Sequence, residues 1–181
     1  IQEFWRRWHM TLSRFLREYI YIPLGGNRVS EKRLYINIMI TFLIGGLWHG
    51  AGWTFVFWGF LHGAALGVNR WWQKQGWHMH KILAWFLTFN FVNIAWVFFR
   101  AASFADAAKV LKAMFGFSGV ILPESTARWL GFLSQYQINF GGFLMADQMY
   151  PALAMCAVFL LVVTLLPNSV QLMKNFRPNW L

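Results

Sequence analysis

Residues 34–68, "LYINIMITFLIGGLWHGAGWTFVFWGFLHGAALGV", carry the reading on which the fold turns. Leu34 to Trp48 is apolar apart from Asn37 and Thr41, and a second apolar run follows from Trp53 to Val68. As a helix the first run covers only ~22 Å, short of the ~30 Å hydrocarbon core of a bilayer. Lys32 and Arg33 precede the pair of runs, and Arg70 and Lys74 follow it. Basic residues at both outer ends place those ends on the cytoplasmic side, so "GGLWHGAG" reads as the turn of a hairpin buried in the membrane. Backbone that leaves the helix at such depth is tolerated only inside protein or against a water-filled cavity. Gly45, Gly46, Gly50 and Gly52 allow an unwound connection there. His49 is therefore expected at a broken helix lining a cavity, not in lipid.

The composition agrees with lipid as the main solvent. The chain is 58% hydrophobic and only 12% charged, against roughly 25% charged residues in soluble domains. Its net charge of +10 is accordingly read as cytoplasmic loops and anionic headgroups, with no nucleic-acid partner expected. Twelve tryptophans suit the headgroup level, where amphipathic rings collect. A single cysteine, Cys156, excludes an intrachain disulfide or a multi-cysteine metal site, and its apolar run predicts a packed thiol. The opening "IQEFWRRWHM" has neither an initiator methionine nor a signal-peptide pattern. The chain is read as the C-terminal part of a longer membrane protein, and the isolated piece is expected to be inactive.

Residues 1–33 form a basic interfacial region, with seven Lys and Arg against three Glu. Phe4, Trp8, Leu12, Leu16 and Ile20 recur every fourth residue, with Arg6, Arg14 and Arg17 on the opposite side, which predicts one basic amphipathic helix. "YIPLGGNR" breaks it with turn chemistry. Residues 34–74 are the hairpin that bears His49, and 82–181 supply further membrane and interfacial helices. Ile82 to Phe99 reads as a span that contains Asn90 and Asn93. "SFADAAKVLKAMFG" follows as an interfacial helix with Ser103 as its N-cap and Phe104, Ala108, Leu111 and Phe115 on one face. Residues 116–127 read as loop, and the stretch from Arg128 to Met149, with Gly141-Gly142, is ambiguous. Pro151 to Leu166 is a last apolar helix with Pro151 in its first turn, and "KNFRPNWL" is a polar, basic tail. The predicted fold class is all-α: a polytopic transmembrane helical protein with about 4–5 membrane helices plus interfacial ones.

Five histidines carry the possible chemistry. An ionisable side chain within a membrane segment is costly to bury, which makes it a functional hypothesis. A neutral imidazole at His49 can take a proton from a hydroxyl and return it to a leaving group. Alternatively it hydrogen-bonds a backbone carbonyl freed by the glycine-rich break. His9 either orients an acceptor or an anionic donor, together with Arg6 and Arg7, or is an interfacial residue on a lipid-facing helix. His62 is read as a helix-packing or hydrogen-bonding residue. His78 and His80 lack the neighbouring ligands that a metal site needs, so no metal is expected. No G-x-S-x-G, P-loop or dinucleotide fingerprint is present. The paired glycines beside Arg28 either cradle a phosphate or form a plain turn.

The ordered blocks "FWRRWHMTLSRFLREYIYIPLGGNR", "NIMITFLIGGLWHGAGWTFVFWGFLHG" and "NIAWVFFRAASFADAAKVLKAMFG" resemble the membrane-bound O-acyltransferases (MBOAT). Within that family they are closest to the branch of the alginate O-acetyltransferase membrane subunit. The blocks cover about residues 4–63 and 93–116, and the last sixty or so residues add little. The resemblance implies a polytopic helical fold with a tunnel through the membrane and catalytic histidines at His49 and His9. "YIPLGGNR" is typical of the polysaccharide-acetylating branch, whose members also modify cellulose or peptidoglycan. The D-alanyl-transferring relatives share the histidine blocks but usually diverge there.

The implied activity is transfer of an acetyl group from a cytoplasmic thioester towards hydroxyls of an exported, alginate-like polysaccharide. Transfer is direct or through acyl-relay partner proteins outside the membrane. No bound cofactor is expected; acetyl-CoA or another acetyl thioester is the donor, with Arg6, Arg7 and Arg28 as contacts for its phosphates. The implied site is a bacterial inner membrane. Competing readings are D-alanyl transfer, peptidoglycan modification, a non-catalytic acyl-group transporter with broken helices, and a scaffold in which the histidines only pack.

Overall fold

A computed structural model of the chain describes residues 1–136, 138–141, 146–167 and 172–173. They fall into two units, Ile1–Phe117 and Ser118–Leu181. In the first unit, α1 (Gln2–Arg7), α2 (Met10–Leu16) and a π-helical turn (Arg17–Tyr21) precede the long helices α3 (Glu31–His49), α4 (Trp53–Lys74) and α5 (Lys81–Arg100). Helix α6 (Phe104–Met114) closes the unit.

The hairpin of α3 and α4 is its centre. Helix α3 starts at Glu31, ahead of the apolar run, and continues through Gly45 and Gly46 to His49. Only residues 50–52 leave the helix, so the expected unwinding at Gly45-Gly46 does not occur. Both glycines are buried and serve packing instead. A Cβ at Gly46 would collide with the backbone carbonyl of Phe55, and one at Gly59 with that of Phe42. Small residues of this kind let two helix backbones approach where lipid supplies no hydrophobic drive between them. At the open end of the hairpin, Lys74 Nζ reaches Glu31 Oε2 at 2.6 Å. Exposed pairs of this type contribute about 0–1 kcal/mol.

Asn37, Thr41, Asn90 and Asn93, polar interruptions of α3 and α5, each donate to a backbone carbonyl, while Asn37 Oδ1 has no partner among the described residues. Asn37, fully buried, donates through Nδ2 to the Leu24 carbonyl at 3.0 Å and so fastens the "PLGG" turn to α3. Thr41 Oγ1 donates to the Asn37 carbonyl at 2.7 Å. In α5, Asn90 and Asn93 donate to the carbonyls of Phe86 and Phe89, each at 2.8 Å. Such internal satisfaction is what a helix in hydrocarbon requires. With a mean hydropathy of 1.8 over its best window, α5 is the one helix among the described residues long and apolar enough to cross a membrane. Ile82, Trp85, Phe86 and Phe89 on it are exposed.

The N-terminal region departs from the expected continuous helix. It is three pieces, broken at Trp8-His9 and widened to a π-turn at Arg17–Tyr21. Leu12 and Leu16 are buried, and Leu16 lies over Gly45, where a Cβ would sit 3.1 Å from its Cδ1. Helix α6 matches its expected start. The Asp106 amide donates to Ser103 Oγ at 3.1 Å, while the hydroxyl donates to Asp106 Oδ2 at 2.7 Å and lowers the pKa of that carboxyl. Its inner face is turned by one residue from the expected one: Ala107 is buried and Ala108 exposed.

The second unit corrects the all-α expectation. Strands β1 (Val120–Pro123) and β2 (Ile138–Gly141) pair in parallel, with Val120 opposite Ile138 and Leu122 opposite Phe140. Two 3₁₀ turns and the short helix α7 (Ala127–Leu130) connect them. Helix α8 (Ala146–Leu165) begins before Pro151, which therefore lies inside the helix and not in its first turn. Residues 151–167 are all exposed, so Cys156 is an exposed thiol and not the packed one expected. The tail "KNFRPNWL" and Gly142 lie outside the described residues.

The glycine contact yields a stability series. Gly46→Ala and Gly59→Ala each force a methyl into a facing carbonyl and should cost about 1–3 kcal/mol. Gly67→Ala meets only ordinary contact, with Tyr35 at 3.5 Å, and should be neutral or stabilising by up to about 1 kcal/mol. Apparent melting temperatures of the detergent-solubilised protein should fall for the first two variants and not for the third.

Candidate functional site

His49 is the last residue of α3, at the point where the hairpin turns. Its half-buried ring lies edge-on to Phe99, Trp48 and Trp58, with centroids 4.8, 4.9 and 5.3 Å away. Opposite it stands His9, exposed, with ring centroids 6.5 Å apart. The Trp48 ring lies 6.1 Å from that of His9. No side-chain hydrogen bond joins either imidazole to a neighbour among the described residues.

His9 reaches this position through an unusual backbone. After α1 the chain turns left-handed at His9, with φ 43° and ψ 53°, and the His9 carbonyl then accepts from the Ser13 amide at 3.0 Å to start α2. Among the described residues it is the one non-glycine with positive φ. A side chain held in that region costs about 1–3 kcal/mol, and such strain clusters at functional sites. The i+4 stripe ran straight across residue 9 and gave no signal of the break.

The two histidines singled out from sequence are thus neighbours, supplied by separate elements. His62 has the packing role expected of it. It is fully buried in α4 and accepts at Nδ1 from the Trp5 indole N–H at 3.3 Å. The rings of Phe4, Phe42, Trp58 and Phe91 surround it. His80 caps α5. Among the described residues no group of three His, Cys, Asp or Glu side chains could hold a metal ion.

A cavity of about 590 Å³ lies between the N-terminal elements and the hairpin. Apolar Trp5, Leu16, Ile38, Phe42 and Leu66 share its wall with three arginines, Arg6, Arg17 and Arg70. The lining includes Arg6 but neither Arg7 nor Arg28, and neither His9 nor His49. Instead, a chain of ring contacts runs from Trp5 through Trp58 to His49, with centroids 5.9 and 5.3 Å apart. Glu3 binds Arg7 Nε at 3.1 Å and Arg6 Nη1 at 3.2 Å. These bonds, that of Arg7 above all, hold its carboxyl below the usual range. Tyr21 lines the same cavity; burial raises its phenol pKa, and nearby Arg70 partly offsets this. Sequence reasoning counted Arg17 and Arg70 as membrane-flanking charge. The π-turn brings Arg17 and Tyr21 to one cavity, and no short-range pattern announced it.

Residues 1–105 match the MBOAT, membrane-bound O-acyltransferase family, and the chain belongs to that family. It is 50% identical over its whole length to the peptidoglycan O-acetyltransferase of Helicobacter pylori, of which it spans 35%. It is 46% identical over 68% of its length to the probable alginate O-acetylase AlgI of Azotobacter vinelandii, of which it spans 25%. A teichoic acid D-alanyltransferase of Streptococcus thermophilus matches at 28% identity over 55% of the chain and 30% of its own length. The chain thus spans about a third or less of these curated relatives.

The left-handed turn can be tested apart from the imidazole. His9→Gly and His9→Ala both remove the ring, but glycine adopts this conformation without the ~1–2 kcal/mol steric cost that a Cβ incurs. The glycine variant should melt at the higher temperature. Equal melting would show that residue 9 is unstrained.

Proposed function

We propose that the protein carrying this chain is a membrane O-acyltransferase of the bacterial inner membrane, with His49 as its general base and His9 as a second site residue. The observation that carries this reading is the meeting of the two imidazoles, 6.5 Å apart, at the turn of the hairpin. His49 removes the proton of an acceptor hydroxyl as the oxygen attacks the donor's thioester carbonyl. The tetrahedral intermediate then expels the thiolate, which takes the proton from the His49 imidazolium. His9 orients the acceptor. A positioned base of this kind contributes ~10²–10⁴-fold, and alignment of the two substrates supplies much of the rest.

The donor on this reading is a cytoplasmic acetyl thioester such as acetyl-CoA. Its phosphates meet Arg17, Arg70 and Arg6 at the cavity, and its acyl arm follows the apolar wall of Phe42 and Trp5. Arg7 and Arg28 fall outside that lining, which favours a membrane-anchoring role for them. Both ends of the hairpin face the cytoplasm on this reading. The acceptor is a hydroxyl of an exported polysaccharide, reached directly or through a relay protein outside the membrane. The match of a peptidoglycan O-acetyltransferase to the whole chain, against 68% for the alginate relative, favours a cell-wall glycan over an alginate-like polymer. The weaker match to a D-alanyltransferase makes D-alanyl transfer the lesser reading.

Two measurements test it. In membranes carrying the whole protein at matched levels, His49→Ala should lower O-acetyl transfer by ~10²–10⁴-fold; wild-type transfer would make His49 structural. Arg17→Ala and Arg70→Ala should raise the KM for the acetyl thioester and leave kcat nearly unchanged. An unchanged KM in both would place the donor elsewhere.

A further inference from the structure

His62 is a buried titratable group that the proposed chemistry does not use, and its environment raises a question. The side chain is fully buried among aromatic rings, and its Nε2 has no hydrogen-bond partner among the described residues. Burying an unpaired polar group is destabilising, whereas replacing both partners of a buried hydrogen bond by apolar groups of the same shape is often nearly neutral. A phenylalanine would pack against Phe4, Phe42 and Trp58 without that cost. What phenylalanine cannot supply is the acceptor that Nδ1 offers to the Trp5 indole N–H. That bond also fixes the tautomer: with Nδ1 accepting, the neutral ring carries its proton on Nε2.

The geometry points to His62 as a positioning residue, whose bond to Trp5 locks α1 onto α4 and thereby holds His9 opposite His49. The path is short. Trp5 lies in α1, which ends where the backbone turns left-handed at His9. Phe4 of α1 stacks on His62 at 6.2 Å, and Trp8, just past the end of α1, lies 5.2 Å from Trp96 of α5. Ring contacts hold α1 against the hairpin, but their orientation preferences are broad compared with those of a hydrogen bond. The Trp5–His62 hydrogen bond sets its register. Trp58 is the second link: its ring is 4.7 Å from His62 and 5.3 Å from His49. One side chain therefore reaches both members of the histidine pair, His9 through Trp5 and His49 through Trp58.

This inference rests on the acyltransferase reading and is tested so that the two fail separately. The whole protein would be assayed in membranes, at matched levels, with an acetyl thioester donor. Variants are His62→Phe, His62→Asn, Trp5→Phe, the double variant Trp5→Phe/His62→Phe, and His49→Ala. Phenylalanine keeps the ring and removes the acceptor; asparagine places an amide oxygen near Nδ1. A small misplacement of reacting groups can cost on the order of 10²-fold. His62→Phe and Trp5→Phe should each lower kcat by up to that factor, and the donor KM should be unchanged in His62→Phe, whose ring is not part of the cavity wall. The double variant should lose no more than either single one, and His62→Asn should recover most of the rate. Wild-type kcat in both single variants, additive losses, or equal loss in His62→Phe and His62→Asn would each overturn the proposal. If His62→Phe melts lower and is poorly inserted, the comparison of Trp5→Phe with His62→Asn decides: loss in the first and retention in the second supports the tie, and any other result overturns it. Full activity in His49→Ala would instead remove the catalytic reading on which the tie depends.

Discussion

Gly46 against the Phe55 carbonyl, and Gly59 against that of Phe42, set the separation of α3 and α4, and most of the site depends on that separation. Two backbones in contact leave no room for side chains between them, so the larger residues of both helices point to the flanks. Trp58 and His62 lie on α4 beside the contact, and His49 ends α3 just beyond it. With wider spacing the Trp58 ring would no longer bridge His49 and His62. In lipid, where apolar side chains gain nothing by leaving their solvent, van der Waals fit of this kind is a main source of helix association.

The second constraint works in the opposite sense. The hairpin is held by close fit, whereas His9 is held in a backbone conformation that its side chain disfavours. The left-handed residue breaks the helix between α1 and α2, with Phe4, Trp5 and Trp8 against α4 and α5 before it and Leu16 against Gly45 of α3 after it. A continuous helix over the same residues would carry a single stripe and could not serve both surfaces. The cost of the turn is offset by burial on its two sides.

Much of this was legible in the residues, and the failures share a cause. The hairpin ends, the span at Lys81–Arg100 and the Ser103 cap rest on local signals: charge at run ends, a long apolar run, a short polar residue ahead of a helix. His9 and His49 were found through a long ordered pattern. The break at His9 has no glycine or proline beside it to mark it, and the i+4 stripe persists across it. Gly45 and Gly46 were read as loop because glycine's two uses, freedom and closeness, look the same in a sequence. The pairing of Val120–Pro123 with Ile138–Gly141 joins segments with no local sign of each other. Cys156 lies in a continuous apolar run, which predicts burial, yet residues 151–167 are all exposed.

The ion pairs at the surface have a consequence for how an anion would find this protein. Glu31 engages Lys74, and Glu3 engages Arg7 and, through its other oxygen, Arg6. Arg17 and Arg70, which line the cavity, have no carboxylate partner among the described residues. An anion at the cavity therefore meets Arg17 and Arg70 with no carboxylate contact among the described residues, and Arg6 with its charge partly offset by Glu3.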